Sequence, residues 1–311
     1  AAIASAASMA RVFVTRDLPG SALERLRAAH HVEVWAQSHP PPRDALTGWE
    51  ALLTMVVDPV DAEVMDASPE LRAIANYGVG TDNVDLAAAT ERGIPVGNTP
   101  DVLTETTADL AFGLMLAAAR RLTEADAYVR DGLWKEWKPD LLLGHDVYGA
   151  TLGIVGFGRI GQAVARRGEG FGMTVLHGIP LPDLLERSDF VSLHAPLRPE
   201  TKGLIGAPEL ARMKPTAFLV NTARGPLVDT DALTKALQNG QIAGAALDVT
   251  DPEPLPADHP LLGAPGLVIA PHIGSASHRT REAMADMTVD NLLAALAGER
   301  MPHCANPEVY G

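Results

Sequence analysis

The chain has 311 residues, which exceeds the size of most single cores and fits two domains of ordinary size. Hydrophobic residues make up 47% and charged residues 21%, so the composition is that of a globular protein rather than a disordered or membrane-spanning one. A formal net charge of −14 would repel a phosphate backbone and argues against nucleic acid as a partner, while no apolar run is long enough to cross a bilayer.

A single cysteine, Cys304, excludes an intrachain disulfide and a cysteine-based metal cluster. We therefore take the cytoplasm as the default location and expect no membrane partner. Residues 1–8 lack the basic start and apolar centre of a signal peptide. Because Met9 follows them and a strand-like run begins at Arg11, we expect them to be the remnant of an expression tag and leave them out of the fold.

Residues 11–100 alternate short β-branched apolar runs with segments of helical spacing, which predicts a parallel sheet covered by helices. One predicted helix covers residues 21–30 with Ser21 as its N-cap, and a second covers residues 84–92 with Asp82 as its N-cap. The predicted strands are residues 12–14, 32–34, 51–54, 73–75 and 95–96.

An amphipathic pattern predicts one long helix over residues 104–130, followed by a looser segment that holds Trp134 and Trp137. A second alternating series over residues 151–270 predicts a doubly wound dinucleotide domain. A last helix over residues 280–297 could carry the chain back to the first domain. The strands of the second series are residues 152–155, 174–176, 190–194, 218–221, 244–248 and 267–270, and its helices are residues 160–171, 181–187 and 229–239.

The motif Gly156-x-Gly158-x-x-Gly161 follows a predicted strand and opens a predicted helix, the context in which it indicates a dinucleotide site. Gly156 permits the tight turn, Gly158 lets the backbone approach the pyrophosphate, and Gly161 lets helix and strand pack closely. The helix N-terminus supplies amide donors and positive potential to the phosphates, and Arg159 adds charge. A glycine-rich turn without a ligand is the alternative, which the flanking strand and helix disfavour.

The residue that distinguishes NAD from NADP is not found at its expected place. An acid that holds the ribose, or a base that accepts the 2′-phosphate, is expected about twenty residues past the first glycine, but His177 and Gly178 stand there. The link between the strands at 174–176 and 190–194 is also close to the minimum of about a dozen residues for a parallel crossover. We hypothesise that a segment is missing between Gly178 and Ile179, which a Cα separation of about 3.8 Å at this junction would contradict.

Arg224, Glu253 and His272 each follow the C-terminal end of a different predicted strand, where open α/β sheets bind ligands. Reduction of a 2-keto acid needs a hydride, a cation for the carboxylate and a proton donor for the carbonyl oxygen. Arginine suits the carboxylate because its planar fork bonds two oxygens. Histidine titrates near neutral pH, and a carboxylate beside it favours its protonated form. The three residues therefore offer the cation and the proton donor that this reduction needs.

Each of these side chains also has a simpler interpretation. Seen alone, Arg224 and Glu253 are more readily surface residues, whereas His272, directly after Pro271 and two residues before Gly274, is a poor core residue. The other histidines, His194 among them, are expected at the surface or in loops. None of the histidines falls at metal-ligand spacing with carboxylates or cysteines, so we predict no metal site.

Five stretches of the sequence are together typical of one family: residues 76–85, 156–161, 221–225, 248–254 and 271–275. With them, the chain from Arg11 onwards resembles the D-isomer-specific 2-hydroxyacid dehydrogenases. Residues 146–149, 247–250 and 272–277 look most like those of the glyoxylate/hydroxypyruvate reductase branch. The resemblance implies reduction of small 2-keto acids, glyoxylate and hydroxypyruvate, by NADPH or NADH, with NADPH preferred.

The same resemblance implies that Arg224 binds the substrate, that His272 is the acid/base, and that Glu253 favours protonated His272. Formate dehydrogenases of this fold have glutamine in place of Glu253, so the glutamate argues for keto acid chemistry. The amides of Val79 and Gly80 would receive the substrate carboxylate, with an ordinary glycine-rich turn as the alternative. The residues implied to bind the coenzyme are Thr107, Gly156, Gly158, Arg159, Ile160, Gly161, Pro196, Thr222, Asp248 and Gly274.

Trp137 has two interpretations that the sequence leaves open. In the reductase branch a tryptophan in this segment resembles a specificity element that reaches the active site of a partner subunit. The alternative is that Trp134 and Trp137 anchor a loop on the surface of a homodimer. Either interpretation assumes that two copies of the chain associate.

The expected fold is therefore α/β, with two doubly wound parallel-sheet domains, the second a Rossmann dinucleotide-binding domain inserted in the first. Residues 9–103 and 283–311 would form the substrate domain and residues 104–282 the nucleotide domain, with substrate bound in a cleft whose closure excludes water. A D-lactate or phosphoglycerate-type dehydrogenase, or a nucleotide-sensing corepressor of the same fold, remains an alternative.

Overall fold

The computed structural model describes residues 9–311, and the expected tag remnant at residues 1–8 lies outside them. The chain forms two compact units: unit 1 holds the residues up to Leu103 together with Ala276–Gly311, and unit 2 holds Thr104–Ser275. Each unit contains an all-parallel sheet, which confirms the predicted α/β class. Within the described residues, no helix is both long and apolar enough to cross a membrane.

Unit 1 is built on a five-stranded parallel sheet with the order β2-β1-β3-β4-β5. β3 and β4 are buried along almost their whole length, as expected for strands that helices cover on both faces. The sequence therefore shows them as continuous apolar runs rather than alternating ones. The strands are β1 Arg11–Val14, β2 His31–Val34, β3 Ala51–Met55, β4 Ala73–Tyr77 and β5 Val96–Gly97.

The helices of unit 1 correct two predicted N-caps. Ser21 precedes the first helix but makes no side-chain cap hydrogen bond. Asp85, not Asp82, caps the third helix and accepts a hydrogen bond of 2.9 Å from Ala88 N. Asp82 and Asn83 lie in a turn, and Val84 after them forms a parallel bridge with Val60, so the helix begins only at Leu86. The helices are α1 Ala22–Ala29, α2 Ala62–Asp66 and α3 Leu86–Glu91, together with His278–Leu296 near the end of the chain.

Unit 2 is built on a six-stranded parallel sheet with the order β11-β10-β9-β8-β6-β7. Chain progression reverses between β6 and β8, so the crevice at their carboxyl ends is the place where such sheets bind ligands. The strands are β6 Thr151–Val155, β7 Thr174–Leu176, β8 Phe190–Leu193, β9 Phe218–Asn221, β10 Gly244–Leu247 and β11 Leu267–Ile269.

The segment predicted as one helix over residues 104–130 is two helices, α4 Thr104–Ala119 and α5 Leu122–Arg130. Arg121 separates them in the left-handed conformation, with φ 53°. The Ala119 carbonyl, near the end of α4, accepts a hydrogen bond from His145 N. This contact comes from a distant part of the chain, which is why the local pattern does not show the break.

Helices cover both faces of the unit 2 sheet. α4 and α6 Arg159–Gly170 pack on one apolar cluster, and α7 Leu181–Arg187 and α9 Thr230–Gln238 pack on another. A short helix that the sequence analysis missed, α8 Ala207–Leu210, joins the second cluster through Leu210. The last helix, α10 His278–Leu296, belongs to unit 1.

Candidate active site

The glycine loop that follows β6 is shaped by packing at two of its three glycines. Gly156 has φ +91°, and a Cβ placed on it would lie 2.4 Å from Ala195 N. A Cβ on Gly161 would lie 2.2 Å from the Gly156 carbonyl oxygen. These two positions therefore require glycine for the turn and for the close approach of α6 to the sheet.

Gly158 differs from its neighbours because nothing within the unit fills the space beside it. A Cβ at this position would meet no atom within 4 Å, and its φ of −77° suits any residue. Gly158 is the N-cap of α6, where backbone N–H groups and the helix dipole attract anions. The open space and the donors together fit the pyrophosphate of a dinucleotide, which Gly158, Arg159 and Ile160 would hold.

His177 occupies the position after β7 where a residue that selects the coenzyme was expected. Its ring stacks on that of Phe157 in the glycine loop, with centroids 3.6 Å apart and planes at 3°. Both side chains are exposed. β7 continues directly through His177 and Gly178 into the seven-residue α7, so the crossover is as short as the sequence indicates.

His272 follows β11 on a loop held in an uncommon backbone conformation. Its φ is 55°, in the left-handed region that non-glycine residues rarely adopt, and its N–H donates to the Asp248 carbonyl over 2.8 Å. Its Nδ1 lies 2.5 Å from Glu253 Oε1. A carboxylate that accepts from Nδ1 fixes the orientation of the ring and leaves Nε2 as the atom that exchanges a proton with a substrate.

The carboxylate of Asp248 is hydrogen-bonded to the backbone of the loop that carries His272. It is 1% exposed, and its two oxygens accept hydrogen bonds of 2.7 Å each from Ile273 N and Gly274 N. Burial raises the pKa of Asp248 above its ordinary value, although these amides and the charge of His272 act in the opposite direction. Asp248 was predicted to bind the coenzyme; its structural role has no sequence signal, because it depends on the adjacency of β10 and β11.

Glu253 lies near both other predicted catalytic residues. Burial favours a higher pKa for its carboxyl group, but the hydrogen bond and charge of His272, followed by Thr250 N and the charge of Arg224, hold the pKa below its ordinary value. Glu253 is therefore ionised at neutral pH. The structure thus brings the Glu253 carboxylate within the electrostatic reach of both predicted cationic partners.

Arg224 is positioned by the turn that follows β9. Asn221 Nδ2 donates to the Arg224 carbonyl over 2.8 Å, and Arg224 Nη1 donates to the Ala223 carbonyl over 2.8 Å. A Cβ on the next residue, Gly225, would lie 1.9 Å from the Thr250 carbonyl oxygen. This close approach joins the loop of Arg224 to the loop that carries Glu253.

The other predicted coenzyme residues lie in three places: around Asp248, two residues before Arg224, and on the loop after β8. A Cβ on Gly274 would lie 3.2 Å from Asp248 Oδ2 and 3.3 Å from Thr107 Cγ2, so these three residues are neighbours. Thr222 Oγ1 is buried and has no hydrogen-bond partner among residues 9–311. A buried hydroxyl without a partner is suited to a polar ligand group. Pro196 lies in the loop after β8 and is exposed.

His194 lies in the loop after β8, in line with the expectation of a surface or loop residue, but it differs from a solvated histidine. It follows β8, and its Nε2 lies 2.8 Å from Ser192 Oγ. Burial lowers its pKa from 6.5 to about 4. His194 is therefore neutral at physiological pH, unlike a solvated histidine whose charge changes near neutrality.

In unit 1, Val79 and Gly80 lie on the loop that follows β4. Neither N–H donates a hydrogen bond to any residue of the described chain. A Cβ on Gly78 would lie 2.2 Å from Val56 Cγ1, so packing alone accounts for that glycine. The two N–H groups remain available to an anion. In unit 2, Trp137 is 80% exposed, and its role stays a prediction.

Known proteins align with nearly the whole chain. The sequence model described as "D-isomer specific 2-hydroxyacid dehydrogenase, NAD binding domain" matches residues 112–274. A glyoxylate reductase of Korarchaeum cryptofilum is 52% identical over 96% of each chain. Among solved structures, the TT0316 protein of Thermus thermophilus has a TM-score of 0.89 and 54% identity, covering 95% of this chain and 99% of that one.

A further solved structure is the NADPH-dependent glyoxylate/hydroxypyruvate reductase of Sinorhizobium meliloti in complex with NADP and malonate. Its TM-score is 0.85 at 34% identity, with 97% of this chain and 98% of that chain covered. The alignment with the K. cryptofilum protein runs over 320 residues, more than the 311 of this chain. That relative therefore has residues without a counterpart here, and the missing segment between Gly178 and Ile179 stays a prediction.

Proposed function

Since the chain belongs to the D-isomer-specific 2-hydroxyacid dehydrogenase family, we propose that it reduces glyoxylate to glycolate and hydroxypyruvate to D-glycerate. The coenzyme is NADPH or NADH, and we propose NADPH as the preferred one. The resemblance read from the sequence is confirmed at the level of the family. The choice of substrate rests on the glyoxylate reductases at about half identity and on the residues of unit 2.

One observation supports the proposed chemistry most directly: Glu253 Oε1 lies 2.5 Å from His272 Nδ1, with Arg224 close enough to affect the pKa of Glu253. A histidine oriented by a carboxylate is a suitable general acid. The reduced nicotinamide, when bound, supplies the hydride that the keto carbon accepts. His272 then gives its proton to the carbonyl oxygen, so that the keto acid becomes a 2-hydroxy acid.

The remaining predicted roles are part of the same proposal. Arg224 binds the substrate carboxylate through its guanidinium group, whose planar donors match two carboxylate oxygens. The N–H groups of Val79 and Gly80 also bind this carboxylate. Glu253 stabilises the protonated imidazole before the transfer and keeps the ring in place after it.

The test is oxidation of NADPH and of NADH, followed by the absorbance of the reduced coenzyme, with glyoxylate, hydroxypyruvate, pyruvate and phosphohydroxypyruvate as separate substrates. We expect the highest kcat/KM with glyoxylate or hydroxypyruvate and NADPH. Highest activity with pyruvate or with phosphohydroxypyruvate would instead assign the chain to a lactate- or phosphoglycerate-type dehydrogenase. Coenzyme binding without turnover of any of the four would contradict the reductase and favour the nucleotide-sensing alternative.

We also propose that the protein is a homodimer and that unit 2 supplies the interface. α5 contains no buried residue, although Leu122 and Val129 are 52% and 53% exposed apolar side chains. Trp134 and Trp137, in the segment that follows, are exposed as well. Large apolar side chains exposed within one short stretch of the chain are typical of an interaction site. Sedimentation equilibrium should give twice the chain mass, and a monomer at assay concentrations would contradict the proposal. A cytoplasmic location stays a prediction from composition.

A further inference from the structure

The N–H groups of Val79 and Gly80, in the loop after β4, are oriented by hydrogen bonds that the carbonyl groups of the same two peptides accept. Thr99 N donates to the Gly78 carbonyl oxygen over 2.9 Å, and Asn98 Nδ2 donates to the Val79 carbonyl oxygen over 2.9 Å. In a trans peptide the C=O of one residue and the N–H of the next point in opposite directions. Fixing the Gly78 carbonyl therefore fixes the Val79 N–H, and fixing the Val79 carbonyl fixes the Gly80 N–H.

The hydrogen bonds to the Gly78 and Val79 carbonyl groups come from different kinds of donor. The Gly78 carbonyl is held by a backbone amide, which every residue but proline could supply at position 99. The Val79 carbonyl is held by one side chain, that of Asn98, and only the Nδ2 end of that amide can donate to it. Gly80 has no side chain to resist rotation of the Val79–Gly80 peptide. The direction of the Gly80 N–H thus depends on Asn98 more than on any local steric constraint.

Asn98 is itself fixed by the core of unit 1. Its carbonyl oxygen accepts from Asn291 Nδ2 over 3.1 Å, and its N–H donates to the His303 carbonyl over 3.1 Å. Asn291 lies on α10 and is fully buried, and its Oδ1 accepts from His303 N over 2.9 Å. A Cβ on Gly97 would lie 2.7 Å from Asn291 Nδ2, so the glycine before Asn98 is required for this approach. The donor at position 98 is therefore attached to a rigid backbone.

We propose that Asn98 is a positioning residue for substrate binding: its side-chain amide orients the Val79–Gly80 peptide so that the Gly80 N–H faces the substrate carboxylate. The inference rests on the proposed function, because it assigns a cause to the binding of the carboxylate by this loop. Asn98 suits the task since its amide donates without adding a charge, whereas a carboxylate at this place would repel both the Val79 carbonyl and an anionic substrate.

The test compares Asn98→Ala, Asn98→Asp and Asn98→Gln with the wild type in steady-state reduction of glyoxylate by NADPH. Asn98→Ala removes the donor and should raise the KM for glyoxylate about tenfold, with kcat and the KM for NADPH nearly unchanged. Asn98→Asp should raise it about a hundredfold at about pH 8, because the ionised side chain cannot donate and repels the Val79 carbonyl and the substrate. Asn98→Gln keeps an amide and should lie closer to the wild type than Asn98→Ala.

Gln37→Glu is the matched control for the change of charge, because Gln37 is an exposed amide of the same unit. It should leave every constant as in the wild type. Thermal unfolding of each variant separates positioning from general damage. A folded Asn98→Ala variant with the wild-type KM for glyoxylate overturns the role of Asn98, as does a loss of kcat and of NADPH affinity in parallel with stability. If the wild type itself does not reduce glyoxylate, the proposed function fails, and this inference fails with it.

Discussion

The loops that follow the strands of the two units present different chemical groups. In unit 2 these loops carry ionisable side chains, with Glu253 and His272 in contact and Arg224 nearby. In unit 1 the loop after β4 presents neutral backbone N–H groups, oriented by the amide of Asn98. Groups that change their proton content suit the chemical step, whereas neutral amides bind an anion without taking part in proton transfer. Substitutions of Glu253 and His272 should therefore change kcat, and substitutions that disturb the loop after β4 should change the KM for the substrate.

The largest effect is expected from His272→Gln, which removes the proposed proton donor but retains a polar side chain. General acid–base catalysis contributes about 10²- to 10⁴-fold, so kcat should fall by that factor while NADPH still binds. Stopped-flow or steady-state reduction of glyoxylate measures kcat, and quenching of intrinsic fluorescence measures coenzyme binding. His278→Gln, at an exposed histidine, is the control. Near-normal turnover by His272→Gln would remove His272 as the donor and with it the contrast between the units.

Glu253→Gln should have the next largest effect, because it keeps the shape of the side chain but removes the charge beside His272. A hydrogen bond to a charged group is worth about 1.5–3 kcal/mol, which corresponds to a fall in kcat of about ten- to a hundredfold. The KM for glyoxylate should change less. Glu299→Gln, on an exposed glutamate, controls for the loss of one negative charge. Equal kcat values for the two variants would show that the Glu253 charge has no part in the chemistry.

His194 sharpens the comparison, because it is an ionisable group of unit 2 that remains neutral. The unfolded chain takes up a proton near the ordinary pKa of 6.5, but in the folded chain burial lowers the pKa to about 4. Acidification through this window therefore favours unfolding and should cost about 2 kcal/mol between about pH 7 and pH 5. Urea unfolding at several pH values should show a smaller dependence for His194→Gln than for the wild type. Identical pH dependence in both proteins would contradict this assignment.

The smallest effect is expected at Gly158, which tests whether the open space beside the glycine loop is the place of the pyrophosphate. Gly158→Ala should raise the Kd for NADPH about tenfold, because the added methyl group occupies space that only a ligand would need. The melting temperature should not fall, since the methyl group meets no protein atom within 4 Å. Gly170→Ala, at another uncrowded glycine of α6, is the matched control. Unchanged NADPH affinity in Gly158→Ala would place the pyrophosphate elsewhere.

The parts of the fold that could be predicted are those specified by neighbouring residues. Buried parallel strands such as β4 appear as continuous apolar runs, and the glycine motif appears at a strand-to-helix turn, so both were found. The break at Arg121 was missed because its cause is the distant amide of His145. The N-cap at Asp85 was misplaced because Val84 pairs with Val60, which precedes both α2 and β4 in the chain. Local patterns do not carry such non-local contacts.

The candidate site shows the same limit. Arg224, Glu253 and His272 were selected because each follows a predicted strand, but the 2.5 Å contact depends on the packing of whole loops. No sequence pattern indicates the two hydrogen bonds that Asp248 accepts from the His272 loop. The same is true of the hydrogen bond that Asn98 donates to the Val79 carbonyl. The family resemblance was confirmed, whereas the individual roles of the site residues stay predictions that the variants above test.

The nine residues of α5 have a consequence for the order of the chain itself. An isolated helix shorter than about 12–15 residues is marginal in water, and each ordered residue loses about 1–2 kcal/mol of backbone entropy. Because no residue of α5 is fully buried in its own subunit, and only Ala125 and Tyr128 are partly buried, packing within one subunit offsets only part of that loss. If two copies associate through the exposed side chains of α5, the interface stabilises the helix. The fraction of chains in which α5 is folded then rises with protein concentration.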